Sequence, residues 1–399
     1  MKIPSKRENG RAPEVFFAFL KLGCTSFGGP VAHFGYFQDE FVARRKWLDE
    51  KDYGDLVALC QFLPGPASSQ LGLALGWKRA GWKGALAAWL GFTTPSVVLM
   101  VALAYGIRSL GHLAQSGAVQ GLKIAAAAVV AQAVIVMARQ FCPDALRAAI
   151  AALTAITLVL WTAPGAQLIL IAAGAAVMGI WGHWFAAERP RSAKPAPGGW
   201  HRGWVCLGLY LGLLLLLPAV ARVWPRPSLV LAANFYRVGA LVFGGGHVVL
   251  PLLQRITVAR GVLSEDAFLA GYGAAQALPG PLFAFSAYLG AIIGHGGIGG
   301  ALLALAAIYL PAVLVLFAAL PQWERLRRLR SAQHLLAGAD AAVVGLLAAA
   351  FYSPIWTTTI TGPKRLGLLL VAFASLRYGR VPPWILVAAC AVVGAVWLG

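Results

Sequence analysis

Charge is what this sequence has least of. Only 12% of its 399 residues are Asp, Glu, Lys or Arg, about half the share of a soluble domain. Acids are scarcest, 14 against 33 Lys and Arg. That argues against an intramembrane enzyme such as a lipid-modifying transferase, which needs clustered carboxylates or histidines for metal or acid–base work. The acids lie mostly in loops, and no His-x-x-x-His pair occurs. Cysteine is sparse as well. Cys24, Cys60, Cys142, Cys206 and Cys390 show no C-x-x-C spacing, so they read as small hydrophobes, not a disulfide framework or metal site. A P-loop is missing, so ATP does not drive the protein directly. None of these features calls for a cofactor. The polar, basic stretch Met1 to Pro13 lacks the pattern of a cleaved signal peptide and is expected to be a cytoplasmic tail.

What is present is apolar length. Hydrophobic residues make up 59% of the chain, and Gly203 to Val223 carries one charge, Arg222. About 20 such residues span a bilayer as a helix. The fold class is therefore an all-α polytopic membrane protein, with the lipid bilayer as its main partner. The net charge of +19 does not imply nucleic acid, because most Lys and Arg sit in short loops between apolar runs, as the positive-inside rule expects.

The chain also repeats itself. Lys21 and Arg237, Phe27 and Phe243, Gln38 and Gln254, and Pro95 and Pro311 are each 216 residues apart. Leu48, Glu50, Gln61 and the tetrad Leu63-Pro64-Gly65-Pro66 recur at an offset of 215. A period this long marks a duplicated half-protein, not a solenoid.

In chain order, the first repeat (14–186) contains segments at 14–41, 53–76, 84–106, 113–137, 145–163 and 166–186. A Pro- and Gly-rich linker and one unpaired span, Gly203 to Val223, occupy 187–228. The second repeat (229–399) returns segments at 229–254, 266–293, 299–320, 333–352, 361–378 and 383–398. Seven segments separate each element from its copy. An odd shift inverts the second half, giving the inverted-topology repeat of many secondary transporters. The first two segments of each half are broken by Gly and Pro. They either cross, giving thirteen spans, or turn back as hairpins, giving nine spans and four hairpins. The hairpin reading puts Arg44–Lys51 inside with the other basic loops, and puts Arg255 and Arg260 outside.

Broken helices at membrane depth line a cavity, where their freed backbone groups find partners. After Pro64-Gly65-Pro66 a new helix starts, and its first N–H groups form an anion site, with Ser68 and Ser69 as hydroxyl donors. Gly280 and Ser286 are the second copy's contribution. Gly28-Gly29 and Gly244-Gly245 let a ligand or another backbone come close. Gln61 and Gln276 are cavity donors. Lys21 and Arg237, equivalent charges within apolar stretches, suit a dianion between them; the alternative is that they snorkel to an interface. Lys123 and Asp340 hold matching places, and either pair with each other or leave Asp340 to carry a coupling proton. His33 and His247 flank the breaks as proton relays or as structural histidines.

These residues also resemble a known family. Phe27-Gly28-Gly29-Pro30, Gln38, Trp47-Leu48 and Gln61-Phe62-Leu63-Pro64-Gly65-Pro66 resemble the amino-terminal signature of the chromate ion transporter family. Phe243-Gly244-Gly245-Gly246-His247-Val248-Val249-Leu250-Pro251 and Gln276-Ala277-Leu278-Pro279-Gly280-Pro281 resemble its carboxy-terminal signature. The resemblance covers nearly the whole chain in the long, two-domain form. It implies an inner-membrane carrier that exports chromate on the electrochemical gradient and confers chromate resistance, with sulfate-like oxyanions as related substrates. A passive anion channel and a carrier for another anion are the alternatives. A homodimer is the oligomeric expectation.

Overall fold

The computed structural model describes residues 11–109, 117–161, 166–185, 200–242, 249–293, 296–323, 330–379 and 381–398. The first half contains α1 (Ala12–Thr25), α2 (Gly29–Gln38) with a π-helical end at Asp39–Arg44, α3 (Glu50–Phe62), α4 (Ala67–Ser109), α5 (Gly117–Phe141), α6 (Ala145–Leu160) and α7 (Ala166–Phe185). The unpaired helix is α8 (Trp200–Val223). The second half contains α9 (Pro227–Leu241), α10 (Val249–Thr257), α11 (Glu265–Ala277), α12 (Phe285–Ile292) and α13 (Gly297–Ala319). It closes with α14 (Arg330–Ala350), α15 (Pro363–Arg377) and α16 (Pro383–Trp397). Five stretches, Ala67–Ile107, Gly117–Phe141, Gly203–Val223, Gly297–Gln322 and Gln333–Thr359, are long and apolar enough to cross a membrane.

The same local devices start equivalent helices. A proline stands in the first turn of both α1 and α9, where its missing N–H costs nothing. Asp49 caps α3 by accepting from the Asp52 N–H, and Ser264 caps α11 by accepting from the Ala267 N–H. The closely spaced carboxylates between Asp49 and Asp55 are thus partly structural, since Asp52 also pairs with Lys78.

All four broken segments turn back. In the first hairpin, Phe19 of α1 packs on Phe37 and Phe41 of the returning strand of helix at 5.4 and 4.7 Å. Arg45 comes back to within 4.0 Å of Glu14. The second hairpin is α3 and the start of α4, closed at its open end by Lys78 and Asp52. In the third, Arg260 beyond α10 reaches Asn234 of α9 at 3.5 Å. In the fourth, the Tyr288 hydroxyl of α12 donates to the Ala267 carbonyl of α11 at 2.7 Å. Of the two readings open to the sequence, these contacts fit the hairpins.

Two sharp reversals follow the second and fourth hairpins. Helix α4 is interrupted at Ala80 and Gly81 (φ 62°), and its two parts pack so closely that a Cβ on Gly76 or Gly84 would overlap the other's carbonyl. Gly290 and Gly300 repeat this contact between α12 and α13. Beyond the reversal, α4 and its counterpart α13 run antiparallel. Trp82 meets Phe317 at 4.1 Å and Trp89 meets Tyr309 at 5.5 Å, while Tyr105 lies beside Gly297. Each carries an internal proline, Pro95 or Pro311, near the middle of the crossing. Helix α8 is tied to α9 by Tyr210 and Tyr236, whose hydroxyls donate to the carbonyls of Ala240 and Tyr210. Its Leu215 is 71% exposed, as suits a face covered by lipid.

Candidate functional site

The hairpin tips meet between the halves. The Gly280 N–H of the fourth hairpin donates to the Ser26 carbonyl of the first at 2.8 Å. The Gly65 N–H of the second donates to the Val242 carbonyl of the third at 2.7 Å. These are the same bond twice, since 26 and 242 differ by 216 and 65 and 280 by 215. Each tip glycine also packs on the kinked helix of the other half. Gly65 has φ +119°, and a Cβ there would lie 2.8 Å from the Ala312 Cβ. Gly280 has φ +92°, and a Cβ there would overlap Ser96 Oγ. Both positions are therefore closed to other residues by conformation and by space.

The two junctions are alike in backbone and unlike in chemistry. Around Gly280 lie Ser26, His33 and Ser96; the equivalent positions around Gly65 are Val242, Val249 and Ala312. Ser96 Oγ donates to the Pro279 carbonyl at 2.7 Å. His33 is 1% exposed and its ring stands edge-on to Phe92 at 5.2 Å. Among the described residues Ser26 Oγ has no hydrogen-bond partner, and the His33 imidazole has the Ser26 backbone beside it without full hydrogen-bond geometry. Buried polar atoms left in this state cost about 1–3 kcal/mol each. Helix α2 begins beside them. Gly28 (φ +99°) is its N-cap and Gly29 (φ +77°) its first residue, no side chain caps it, and the space where a Gly29 Cβ would go is open. A left-handed pair feeding a helix N-terminus points successive N–H groups at one spot, which suits an anion.

At the start of α4, Ser68 and Ser69 are both buried. Ser69 Oγ lies 3.4 Å from the Tyr309 hydroxyl. Gln70 is fully buried and donates through Nε2 to the carbonyls of Pro64 and Ala312 at 2.9 and 3.3 Å. It pins the second tip from within, as Ser96 pins the fourth from outside. Ser26, Gln70, Thr93 and Ser96 escape a reading based on matched motifs. Their signal is the reverse: a polar residue in one half where the other has an apolar or larger one.

Other expected site residues are dispersed. Lys21 is 54% exposed, with its ammonium 3.9 Å from Glu40, and Glu40 is also held by Arg44 and Arg45 at 2.9 and 2.6 Å. Arg237 and Gln61 are exposed. Gln276 is half-buried, beside Tyr272. The Ser286 hydroxyl donates to the Phe283 carbonyl at 2.8 Å. Gly244, Gly245 and His247 lie outside the described residues. Lys123 needs a correction. Its carboxylate partner is Asp266, at 2.5 Å, not Asp340, because α5 lies against α11 and brings Lys123 to the start of that helix. Asp340 is half-buried on α14. Lys123 is 3% and Asp266 43% exposed. Asp266→Asn strands a buried ammonium and is expected to cost about 3 kcal/mol, seen as a lower Tm. Lys123→Met removes the charge itself and should cost less.

Comparison with known proteins agrees with this architecture. The family model described as chromate transporter matches residues 13–180 and again 229–395. The chain is 28% identical over 359 residues to a chromate transport protein of Pseudomonas aeruginosa, covering 84% of this chain and 79% of that one. A probable chromate transport protein of Synechococcus elongatus is 27% identical over 388 residues, 95% and 94% of the two chains. A chromate transport protein of Cupriavidus metallidurans is 25% identical over 395 residues, 96% and 92% of the two chains. No solved structure matches. With both repeats matched in order over most of its length, the chain belongs to the chromate transporter family.

Proposed function

We propose that this protein is a secondary active transporter that exports chromate, or a similar tetrahedral oxyanion, across the inner membrane on the electrochemical gradient. One observation carries the reading: the reciprocal bonds Gly280 to Ser26 and Gly65 to Val242. They join the halves at their tips through two single contacts, where a small rotation could open one side and close the other. The antiparallel run of α4 and α13 supports the inverted relation of residues 14–186 and 229–399, with α8 in the 187–228 segment between them. Alternating access then follows from rocking one repeat against the other.

The anion's seat in this reading is the polar junction. The first-turn N–H groups of α2 after Gly28 and Gly29, the Ser26 hydroxyl and His33 replace lost water, with Ser68 and Ser69 at the start of α4, behind the Gly65 tip, as further donors. Charge-assisted hydrogen bonds of about 1.5–3 kcal/mol each are needed in number, because desolvating a dianion is far more costly. Lys21 and Arg237, exposed on α1 and α9, draw the anion along the two approaches, with Gln61 and Gln276 as further donors. Gly244, Gly245, Gly280 and Ser286 complete the second half's side. His33 carries the coupling proton; Asp340, Lys123 and His247 are the other coupling groups to test.

The test is radiolabelled chromate flux in proteoliposomes of known orientation, with an imposed pH gradient or potential and sulfate as competitor. Gradient-dependent accumulation is expected. Lys21→Ala and Arg237→Ala should each lower it about tenfold, the loss of about 1.4 kcal/mol. Flux that ignores the gradient would make the protein a passive channel. Absence of chromate flux in folded protein would overturn the substrate.

A further inference from the structure

A second polar feature lies away from the tips. A cavity of about 360 Å³ opens between α6, α7, α10 and α14. Its polar lining comes from Gln167, Gln254, Arg255, Glu265 and Ser353. It sits at the open end of the third hairpin, opposite the end where Glu14, Arg45 and Arg79 gather. Gln254 is 6% exposed, and its Nε2 has no partner among the described residues. Its repeat counterpart Gln38 is exposed, so the duplication does not by itself require a buried amide here. Arg260 reaches Asn234, about one turn before Arg237 on α9, and the charges of Arg237 and Arg260 bear on Arg255. The carboxylate in the lining, Glu265, accepts from Thr358 Oγ1 at 3.2 Å and lies in the field of Lys123. Ser353 interrupts the π-helical stretch Phe351–Trp356 with extended backbone (φ −128°, ψ 119°), and irregular backbone at membrane depth belongs where it lines a polar cavity.

We infer that this cavity is an anion vestibule, an outer binding site for a small oxyanion, formed by Arg255 and Gln254 under the field of Arg237 and Arg260. The oxyanion being the transported one rests on the transport reading above; the site's preference for anions does not. In the hairpin topology with the N-terminus inside, this end faces outward, and clustered arginines there run against the usual placement of basic residues on the inner side. A cleft with an excess of one charge around it, here Arg255, Arg237 and Arg260 against Glu265, raises the local concentration of the opposite ion, so the departure has a use at the mouth of an anion path.

The first test does not depend on transport. In the full chain, the five native cysteines are replaced by alanine and a thiol is placed in the cavity by Ser353→Cys. Rates with anionic and cationic methanethiosulfonate reagents are compared, each normalised to free cysteine. The anionic reagent is expected to react at least about tenfold faster, within the usual range of electrostatic focusing. Added sulfate should slow it. Arg255→Gln should bring the ratio toward one, and Arg255→Lys should keep it. A ratio of one or below before Arg255 is changed, or a ratio that survives Arg255→Gln, overturns the vestibule. The second test is chromate flux in oriented proteoliposomes. Arg255→Gln is expected to raise KM about tenfold for chromate offered from this face only. An equal rise from both faces overturns the vestibule's part in delivery. If the unmodified protein moves no chromate, the transport reading falls while the labelling ratio still decides the site.

Discussion

Gly280→Ala is expected to lower chromate flux on the order of a hundredfold and to reduce Tm. Two effects add at this position. The residue holds φ +92°, and non-glycine residues held in such regions cost on the order of 1–3 kcal/mol. The new methyl would also overlap Ser96 Oγ and come to 3.2 Å from the Phe92 carbonyl. Together, about 3 kcal/mol at a contact that the proposed rocking motion breaks and remakes corresponds to about a hundredfold. Ser96→Ala in the same chain removes the oxygen in the way, so Tm should partly recover while flux stays low. Gly65→Ala should behave likewise, with Ala312→Gly as its relief. Gly261 is the control: φ is +68° and nothing lies within 4 Å of a Cβ there. Gly261→Ala should cost only about 1–2 kcal/mol of backbone strain and leave flux intact. Full flux in Gly280→Ala would show that the tips need not pack closely to work.

His33→Val should separate stability from coupling. The second half already has valine at the matching place, Val249, fully buried, so the substitution gives the first junction a side chain its twin accommodates. Removing a buried imidazole that has only a poorly aligned contact to the Ser26 backbone relieves a penalty of up to about 1–3 kcal/mol. Tm is therefore expected to hold or rise. Chromate flux driven by a pH gradient should fall at least about tenfold, and dependence on the imposed gradient should vanish. Unchanged pH-driven flux in His33→Val would remove His33 from coupling and turn attention to Asp340.

Much of this architecture was legible in the residues, because duplication writes every constraint twice. Pro64-Gly65-Pro66 and Pro279-Gly280-Pro281 marked two tips at equivalent depth, and Phe27-Gly28-Gly29 marked a third. A proline followed by glycine ends a helix whatever surrounds it, so breaks can be read locally. Partners cannot. Lys123 and Asp340 occupy matching places, and symmetry suggested a pair. Symmetry relates environments, however; it does not bring two equivalent residues into contact unless they lie near the axis. Thr93 and Tyr309 do lie side by side, on the crossing of α4 and α13. Lys123 finds Asp266 instead. The same limit applies to Lys21, whose neighbour Glu40 is set by how the first hairpin closes. Reading for sameness also hid the polar junction, since Ser26, His33 and Ser96 matter because Val242, Val249 and Ala312 differ from them.

The crossed tips set an order on synthesis. The Gly65 N–H has its partner at Val242, and the Ser26 carbonyl has its partner at Gly280. When the ribosome has completed residues 14–186, both groups are already made and neither acceptor nor donor yet exists. A lone buried amide or carbonyl in hydrocarbon costs several kcal/mol. The first two hairpins therefore cannot settle to their final depth until about a hundred further residues have been inserted. Until then they rest in water, in the insertion machinery, or against another copy of the chain. Truncation after residue 242 leaves one of the two bonds open, and truncation before it leaves both. Nascent chains stalled at these lengths should differ in how readily the first tips are reached by water-soluble reagents.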